Sequence, residues 1–385
     1  MTLEKYHREL YLCNRCGYCR EMIDPTVEAY RICPAYEAKG FESYTARGTI
    51  HIARALYEGR LKPDKRLAQH IFSKCTLCKN CQVHCPPEVD ILSVMKALRQ
   101  DLVGRGLLPE PLKERDSNVE QRHNVFGELA ADRTIWASGL QLPRKGEILY
   151  FAGCYDAYRY PQTARATIAI LTEAGVNVAY LGEDEWCCGL AQFMDGNIAT
   201  AEKKMKHNVD AIKASNAKVV VTSCPGCYTA LKTEYPKIIG KIPFKVVHFS
   251  EFIKELIDAG KIVLNKPINK KVTYHDPCHL GRYEGVYNKP RDIIRAVPGI
   301  ELVEMRRSRE NAWCCGGSTE IYLMNPDLAA NITEARVQEG ANTGASAIVT
   351  TCPMCVTNLR PVAKKAGLEV YDLPVFVASA LGLRV

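Results

Sequence analysis

The chain has 385 residues, 47% of them hydrophobic and 24% charged, with a formal net charge of +8. That length predicts two or three domains rather than one core. No run approaches the roughly 20 apolar residues of a membrane-spanning helix. The opening MTLEKYHREL also lacks the apolar stretch of a secretory signal, so the expected location is the cytoplasm. Lys and Arg are spread along the chain rather than gathered in a tract, which argues against nucleic acid as a partner. The 18 cysteines are the anomaly. A disulfide framework would need an oxidising compartment and usually a short chain, so metal or cluster ligation is the better reading.

Residues 1–110 carry eight of them. Cys75, Cys78, Cys81 and Cys85, followed by Pro86, have the C-x2-C-x2-C-x3-C-P spacing of a ferredoxin-type [4Fe–4S] cubane, whose fourth cysteine serves the other cluster of a pair. Cys13, Cys16 and Cys19 form a second triplet, with Cys33–Pro34 standing in for its last element across a widened gap. Crossed ligation then assigns Cys13, Cys16, Cys19 and Cys85 to one cubane, and Cys75, Cys78, Cys81 and Cys33 to the other. Two zinc ribbons would also use C-x2-C units, but zinc gives no reason for triplets ending in Cys-Pro. Between the runs, ARGTIHIARALYEG reads as a helix. The expected unit is a small helical ferredoxin-like domain with two clusters, suited to one-electron transfer.

Residues 111–145 are polar and read as a connector. Beyond them the chain repeats itself. EILYFAGC matches KVTYHDPC, WCCGL matches WCCGG, AKVVVTSCPGC matches ASAIVTTCPMC, and VVHFSEFIKEL matches VYDLPVFVASAL. The offsets stay between 124 and 128 residues, which means two copies of one module, at 146–265 and 266–385. EILYFAG, VNVAYL and KVVVTS read as buried strands. ARATIAILTEAG and IATAEKKMKHNVDAIKAS read as the helices between them, so each module is expected to be an α/β layer with parallel strands. Cys154, Cys224, Cys278 and Cys352 each follow a strand run, at the carboxyl edge where such sheets bind ligands. Each module carries five cysteines: Cys154, Cys187, Cys188, Cys224 and Cys227, then Cys278, Cys314, Cys315, Cys352 and Cys355. Five is one too many for a simple cubane or a tetrahedral zinc. Gly189, Gly316 and Gly317 permit the tight bend a shared doublet needs.

These quintets, together with YHDPCHLGR at Tyr274–Arg282 and the two-cluster domain in front, resemble the CCG-domain family, and in particular heterodisulfide reductase subunits of the D type. The resemblance covers nearly the whole chain. It implies that each complete quintet holds a noncubane [4Fe–4S] cluster and that these ten cysteines are the ligands of the reactive clusters. Electrons from a partner would reach them through the two cubanes for reduction of a thiol-cofactor disulfide. Relatives of the same layout serve lactate or glycolate dehydrogenases, electron-transferring flavoproteins and the benzoyl-CoA reductases of anaerobes. A relay without a disulfide substrate is therefore the alternative. The sequence has no G-x-G-x-x-G or P-loop, so a flavin or pyridine nucleotide is expected on a partner, which would also make any contact with the inner face of the membrane. Trp186 and Trp313 are expected to shield the clusters, His275 and His279 to hydrogen-bond near Cys278, and Lys203, Lys204, Lys206 and Lys213 to form a solvated helix face.

Overall fold

Three amphipathic helices, Ala46–Tyr57, Lys65–Ser73 and Ile91–Val103, organise the N-terminal unit of the computed structural model, which describes residues 1–24 and 27–384. Each starts on a side-chain cap that satisfies a free backbone N–H: Thr45 accepts from Gly48, Asp64 from Leu67 and Asp90 from Ser93. Their apolar stripes interlock around Ala53, Leu56, Phe72, Val94 and Leu98, closed by Leu3 and Leu10. The widened gap after Cys19 contains an antiparallel pair, β1 (Glu21–Asp24) and β2 (Val27–Arg31). Its return is pinned where Ile32 N donates to Arg20 O at 2.9 Å, which carries Cys33 back into the domain. This hairpin is not among the elements expected from the sequence.

The apolar runs of the first module become β3 (Ile148–Tyr150), β4 (Val178–Tyr180), β5 (Val219–Thr222) and β6 (Lys245–His248). Those of the second become β7 (Lys270–Tyr274), β8 (Ile300–Val303), β9 (Ala347–Thr350) and β10 (Glu369–Asp372). Both sheets are wholly parallel, in the orders β4-β3-β5-β6 and β8-β7-β9-β10. Within each module, the second strand flanks the first, which pairs with the third. The strand order therefore reverses between the first and third strands, and the crevice at their carboxyl ends is the natural ligand position. The two helices expected from periodicity run over Pro161–Glu173 and Ile198–Ala214.

The modules pack reciprocally. The helix after the last strand of one lies on the helix after the first strand of the other: Leu373–Leu381 on Pro161–Glu173, and Phe249–Asp258 on Asn288–Arg295. Ile168, Phe249, Ile253, Tyr274, Ile293 and Phe376, all buried, belong to one core built by both copies. This pseudo-two-fold pairing turns the carboxyl edges of the two sheets toward each other.

Residues 111–145 are folded rather than an open linker. Glu110–Arg122 is a helix, Ala131–Ala137 a 3-10 turn, and Arg115, Asp116, Asn124, Arg133 and Trp136 are buried. The segment's polarity has a specific cause: its charges are spent on internal ion pairs. Arg115 bonds Asp195 at 2.5 Å and Asp116 at 2.6 Å, while Arg99, from the N-terminal unit, reaches the same Asp195 at 3.3 Å. Gly196 (φ +81°) packs so closely that a Cβ there would meet Gln100 N at 2.4 Å.

Candidate iron–sulfur sites

The structure brings the 18 cysteines into three neighbouring cavities. Cys13, Cys16, Cys19 and Cys85 line the first, with Ala46 and Ile50. Cys33, Cys75, Cys78 and Cys81 line the second, with Ala46, Thr76 and Leu77. This is the crossed grouping expected from the spacing. All ten remaining cysteines line the third, a cavity of about 160 Å³ that Thr76 and Leu77 also border. The cavities thus run in series, separated first by Ala46 and then by Thr76–Leu77. Cys16, in the first, is the exposed thiol of the set.

Burial makes the cubane-type sites hostile to free thiolates. It pushes Cys19 up to about 11 and Cys81 well above the ordinary thiol range. Such groups are stable as anions only with a cation among them, and two buried basic side chains stand behind the second cavity, Arg99 and Lys74, the latter lowered by burial to about 7. Lys74 donates from Nζ to Ser43 O at 2.7 Å, and Arg99 donates to Cys75 O at 3.3 Å. In each quintet, one doublet thiol is held low by hydrogen bonds from its neighbours. Cys188 is brought down to about 6 by Cys187 and Cys227, and Cys314 well below the ordinary range by Cys278 and Cys315.

The local chain shape explains how the doublets face one space. Gly189 (φ +77°) and Gly316 (φ +82°) take the left-handed backbone immediately after each Cys-Cys. Pro225 and Pro353 start the helices that carry the C-x2-C pairs, whose first cysteines, Cys224 and Cys352, are the N-caps. Gly153 lies against a ligand candidate: a Cβ there would sit 2.7 Å from Cys227 Sγ. The thiols are free, convergent and shielded by Val125, Leu190, Met194 and Met354, a donor set that fits sulfur-ligated iron.

Several residues at the site are not expected from the sequence. Arg133, within residues 111–145, is buried beside Cys154 Sγ (3.7 Å) and pairs with Glu185 at 2.8 Å. Glu185 also accepts from Ala152 N at 2.9 Å and Gly153 N at 2.8 Å, fixing the turn that presents Cys154. Arg282 performs a related task in the second module, donating to Cys78 O at 2.6 Å and so tying that module to the second cubane-type site. Tyr283 does the same through Leu77 O, also at 2.6 Å. No motif marks Arg133 or Glu185; only the fold brings them to the thiols.

The tryptophans differ from each other. Trp313 is buried, donates to Arg31 O at 2.9 Å and lies under the Arg307 guanidinium. Trp186 is half-buried and stacked between His123 and His207, with ring centroids 3.6 and 3.5 Å away. Lys204 corrects the expectation of a solvated lysine face. It is fully buried, its Nζ 3.0 Å from His123 Nδ1 and 4.5 Å from the Trp186 ring centre, whereas Lys203, Lys206 and Lys213 are exposed. Its helix turns that position inward, against Trp186. His279 lines the cavity and stacks on Tyr283, and His275 lies behind Cys315 and Cys355. Asp276 is engaged by Arg291 at 2.6 and 2.8 Å, and Asp156 by Ser223 and Tyr150.

The comparisons with known proteins agree with this geometry. The cysteine-rich domain family matches residues 148–232 and 272–360, and the 4Fe-4S dicluster domain family matches residues 9–89. The D-type subunit of the dihydromethanophenazine:CoB–CoM heterodisulfide reductase of Methanosarcina barkeri is 35% identical over 97% of this chain and 95% of its own. An EtfAB:quinone oxidoreductase of Syntrophomonas wolfei is 32% identical over 77% of this chain but only 44% of its own. A hypothetical Helicobacter pylori protein of known structure shares the fold, with TM-score 0.59 at 10% identity over 100% of this chain and 76% of that one.

Proposed function

We propose that this chain, which belongs to the family of D-type heterodisulfide reductase subunits and is an iron–sulfur oxidoreductase subunit, takes single electrons from a redox partner and delivers them in pairs to a disulfide at the ten-cysteine cavity. The observation that carries this reading is the convergence of two complete quintets, from two modules, on one cavity. Cys13, Cys16, Cys19 and Cys85 would hold one cubane, and Cys33, Cys75, Cys78 and Cys81 the other. Each quintet would hold one noncubane [4Fe–4S] cluster. When bound, these groups supply one-electron carriers and thiophilic iron along the line of cavities.

The chain's own residues set the rest. Cys16 marks the face at which a partner, in our reading a flavoprotein, would dock. Ala46 and Thr76–Leu77 are thin walls between successive sites. Val125, Leu190, Met194 and Met354 give the last cavity an apolar wall, beside which a substrate disulfide would meet sulfur-bound metal. Reduction consumes two electrons and two protons: the S–S bond breaks and each sulfur leaves as a thiol. Glu320 and His279 are the titratable side chains other than cysteine and tyrosine on the wall, and burial lowers His279 to about 4, which keeps its imidazole neutral. Among the described residues no helix is long and apolar enough to cross a membrane. We place the chain in the cytoplasm, with any attachment to the inner face of the membrane made by its partner.

One feature of the wall favours a second reading, an electron relay without a disulfide substrate. Among the described residues the cavity lining contains no Lys or Arg to meet an anionic cofactor. Cys188→Ser and Cys315→Ser separate the two readings. If both modules hold one disulfide, each change abolishes disulfide reduction while dye reduction through the cubanes survives. If the modules relay in sequence, the two variants differ and one stays active. A fully loaded chain that is inert to thiol-cofactor disulfides and turns over only with a flavoprotein would refute the reductase reading.

A further inference from the structure

His275 is a buried polar side chain behind the thiols whose hydrogen-bonding state the fold determines. It follows β7, three residues before Cys278, and is 1% exposed. Arg336, fully buried, donates from Nε to His275 Nδ1 at 3.0 Å. Arg336 is itself fixed by Arg307 O and the Glu339 carboxylate, both at 2.8 Å. A guanidinium has donors and no acceptor, so Nδ1 must be the acceptor of this bond and the ring's proton sits on Nε2. Nε2 has no hydrogen-bond partner within the protein. The ring lies against two thiols, with its nitrogen, Cys315 Sγ and Cys355 Sγ within 4.8 Å of one another. The same bond argues against His275 as a metal ligand: Nδ1 is occupied and Nε2 is protonated. What remains is an unpartnered N–H on a ring that has a nitrogen within 4.8 Å of two cysteine sulfurs.

The first module has no histidine at this place; its donor to sulfur is Arg133, 3.7 Å from Cys154 Sγ. The 124-residue offset that matches Cys154 to Cys278 matches Phe151 to His275, and Phe151 is fully buried with no donor to offer. A hydrogen bond to a cluster sulfur stabilises the charge gained on reduction and raises the potential. We propose that His275 Nε2–H donates to the sulfur of the second-module centre and raises the potential of that centre above what it would have without this donor. The inference rests on the reading of the quintets as cluster ligands. It also agrees with the connectivity: the second module adjoins the Cys33–Cys75–Cys78–Cys81 site, through Arg282 and the shared core that contains Cys78, Cys314 and Cys315. The two halves of the cavity thus take their sulfur donors from different residues, Arg133 in the first module and His275 in the second, and are inequivalent.

The test is a redox titration of the anaerobically prepared, fully loaded chain, followed by electron paramagnetic resonance, in wild type, His275→Phe and His275→Gln. The wild type is expected to show a potential for each of the two CCG centres. His275→Phe should lower one of them alone, changing the electron partition about tenfold, the size of one charge-assisted hydrogen bond, or about 59 mV for one electron. His275→Gln, which keeps an N–H, should restore most of the lost potential. In wild type, electron–nuclear double resonance after transfer to deuterium oxide should lose one strongly coupled proton at the centre that His275→Phe shifts. That measurement decides the matter even if His275→Phe fails to assemble. Unmoved potentials in His275→Phe, or no exchangeable proton in wild type, would overturn the role of His275 while leaving the quintet reading intact. Absence of both CCG signals in wild type would overturn the quintet reading itself.

Discussion

Replacing Gly153 by alanine probes the first quintet at a single atom. Gly153 has φ +71°, where an L side chain costs about 1–2 kcal/mol. The added Cβ would fall 2.7 Å from Cys227 Sγ. Ordinary contact needs a carbon–carbon separation of about 3.5–4.0 Å, and sulfur is no smaller, so the sulfur must retreat by about 1 Å. An iron–thiolate bond comparable to the ~2.3 Å of zinc–sulfur does not survive that shift, because Cys227 sits on a helix anchored by Pro225. Gly153→Ala should therefore lose the first-module cluster, lowering iron from sixteen to about twelve per chain, with a stability cost of about 1–2 kcal/mol. Iron analysis and the denaturation midpoint of the same preparation read both quantities. A variant that keeps full iron and an unchanged first-module spectrum would show that Cys227 is not a ligand in this geometry.

Cys85→Ala should remove the cluster held by Cys13, Cys16 and Cys19 and spare the one nearest in sequence; loss of the Cys75–Cys81 signal alone would refute the crossed grouping. Arg133→Met should cost about 3–5 kcal/mol in urea unfolding, because it strands the fully buried Glu185 without its counter-charge. A loss under about 1 kcal/mol would mean that Glu185 is not ionised in the fold. Burial lowers His248 from 6.5 to about 3, so the native state keeps it neutral while the unfolded chain takes up a proton. That contribution is complete above pH 6.5 and is lost as pH falls toward 3, about 2 kcal/mol at pH 5. In His248→Gln, the slope of stability between pH 5 and 7 should be shallower by that amount, and an unchanged slope would contradict the assignment.

Much of this was legible because ligand spacing and hydrophobic period are local properties. The C-x2-C triplets, the doublets and the strand runs ending at Cys154, Cys224, Cys278 and Cys352 are all written in short windows, and the fold places them as read. The duplication was visible for the same reason. What could not be read depends on distant pairing. Arg133 and Glu185 look like ordinary surface charges, and only the closed first module turns one into the counter-charge of the other beside Cys154. Lys204 stands in a lysine-rich stretch, yet its helix presents it to Trp186 and His123. Residues 111–145 read as a connector because polar composition cannot tell a solvated loop from a segment whose charges are paired internally, as Arg115 is with Asp116 and Asp195. The β1–β2 hairpin was hidden by the unusual length of the Cys19–Cys33 gap.

The most direct test of the central claim, that two five-thiol sites share one cavity beyond two cubane sites, is the metal content of the chain purified without oxygen. Ligand arithmetic predicts sixteen iron atoms and no stoichiometric zinc, with two CCG-type centres resolved spectroscopically from two cubanes. Iron near eight per chain, accompanied by zinc, would contradict it: the eight N-terminal cysteines would then hold all the iron, and the cavity lined by the other ten would not be a redox site.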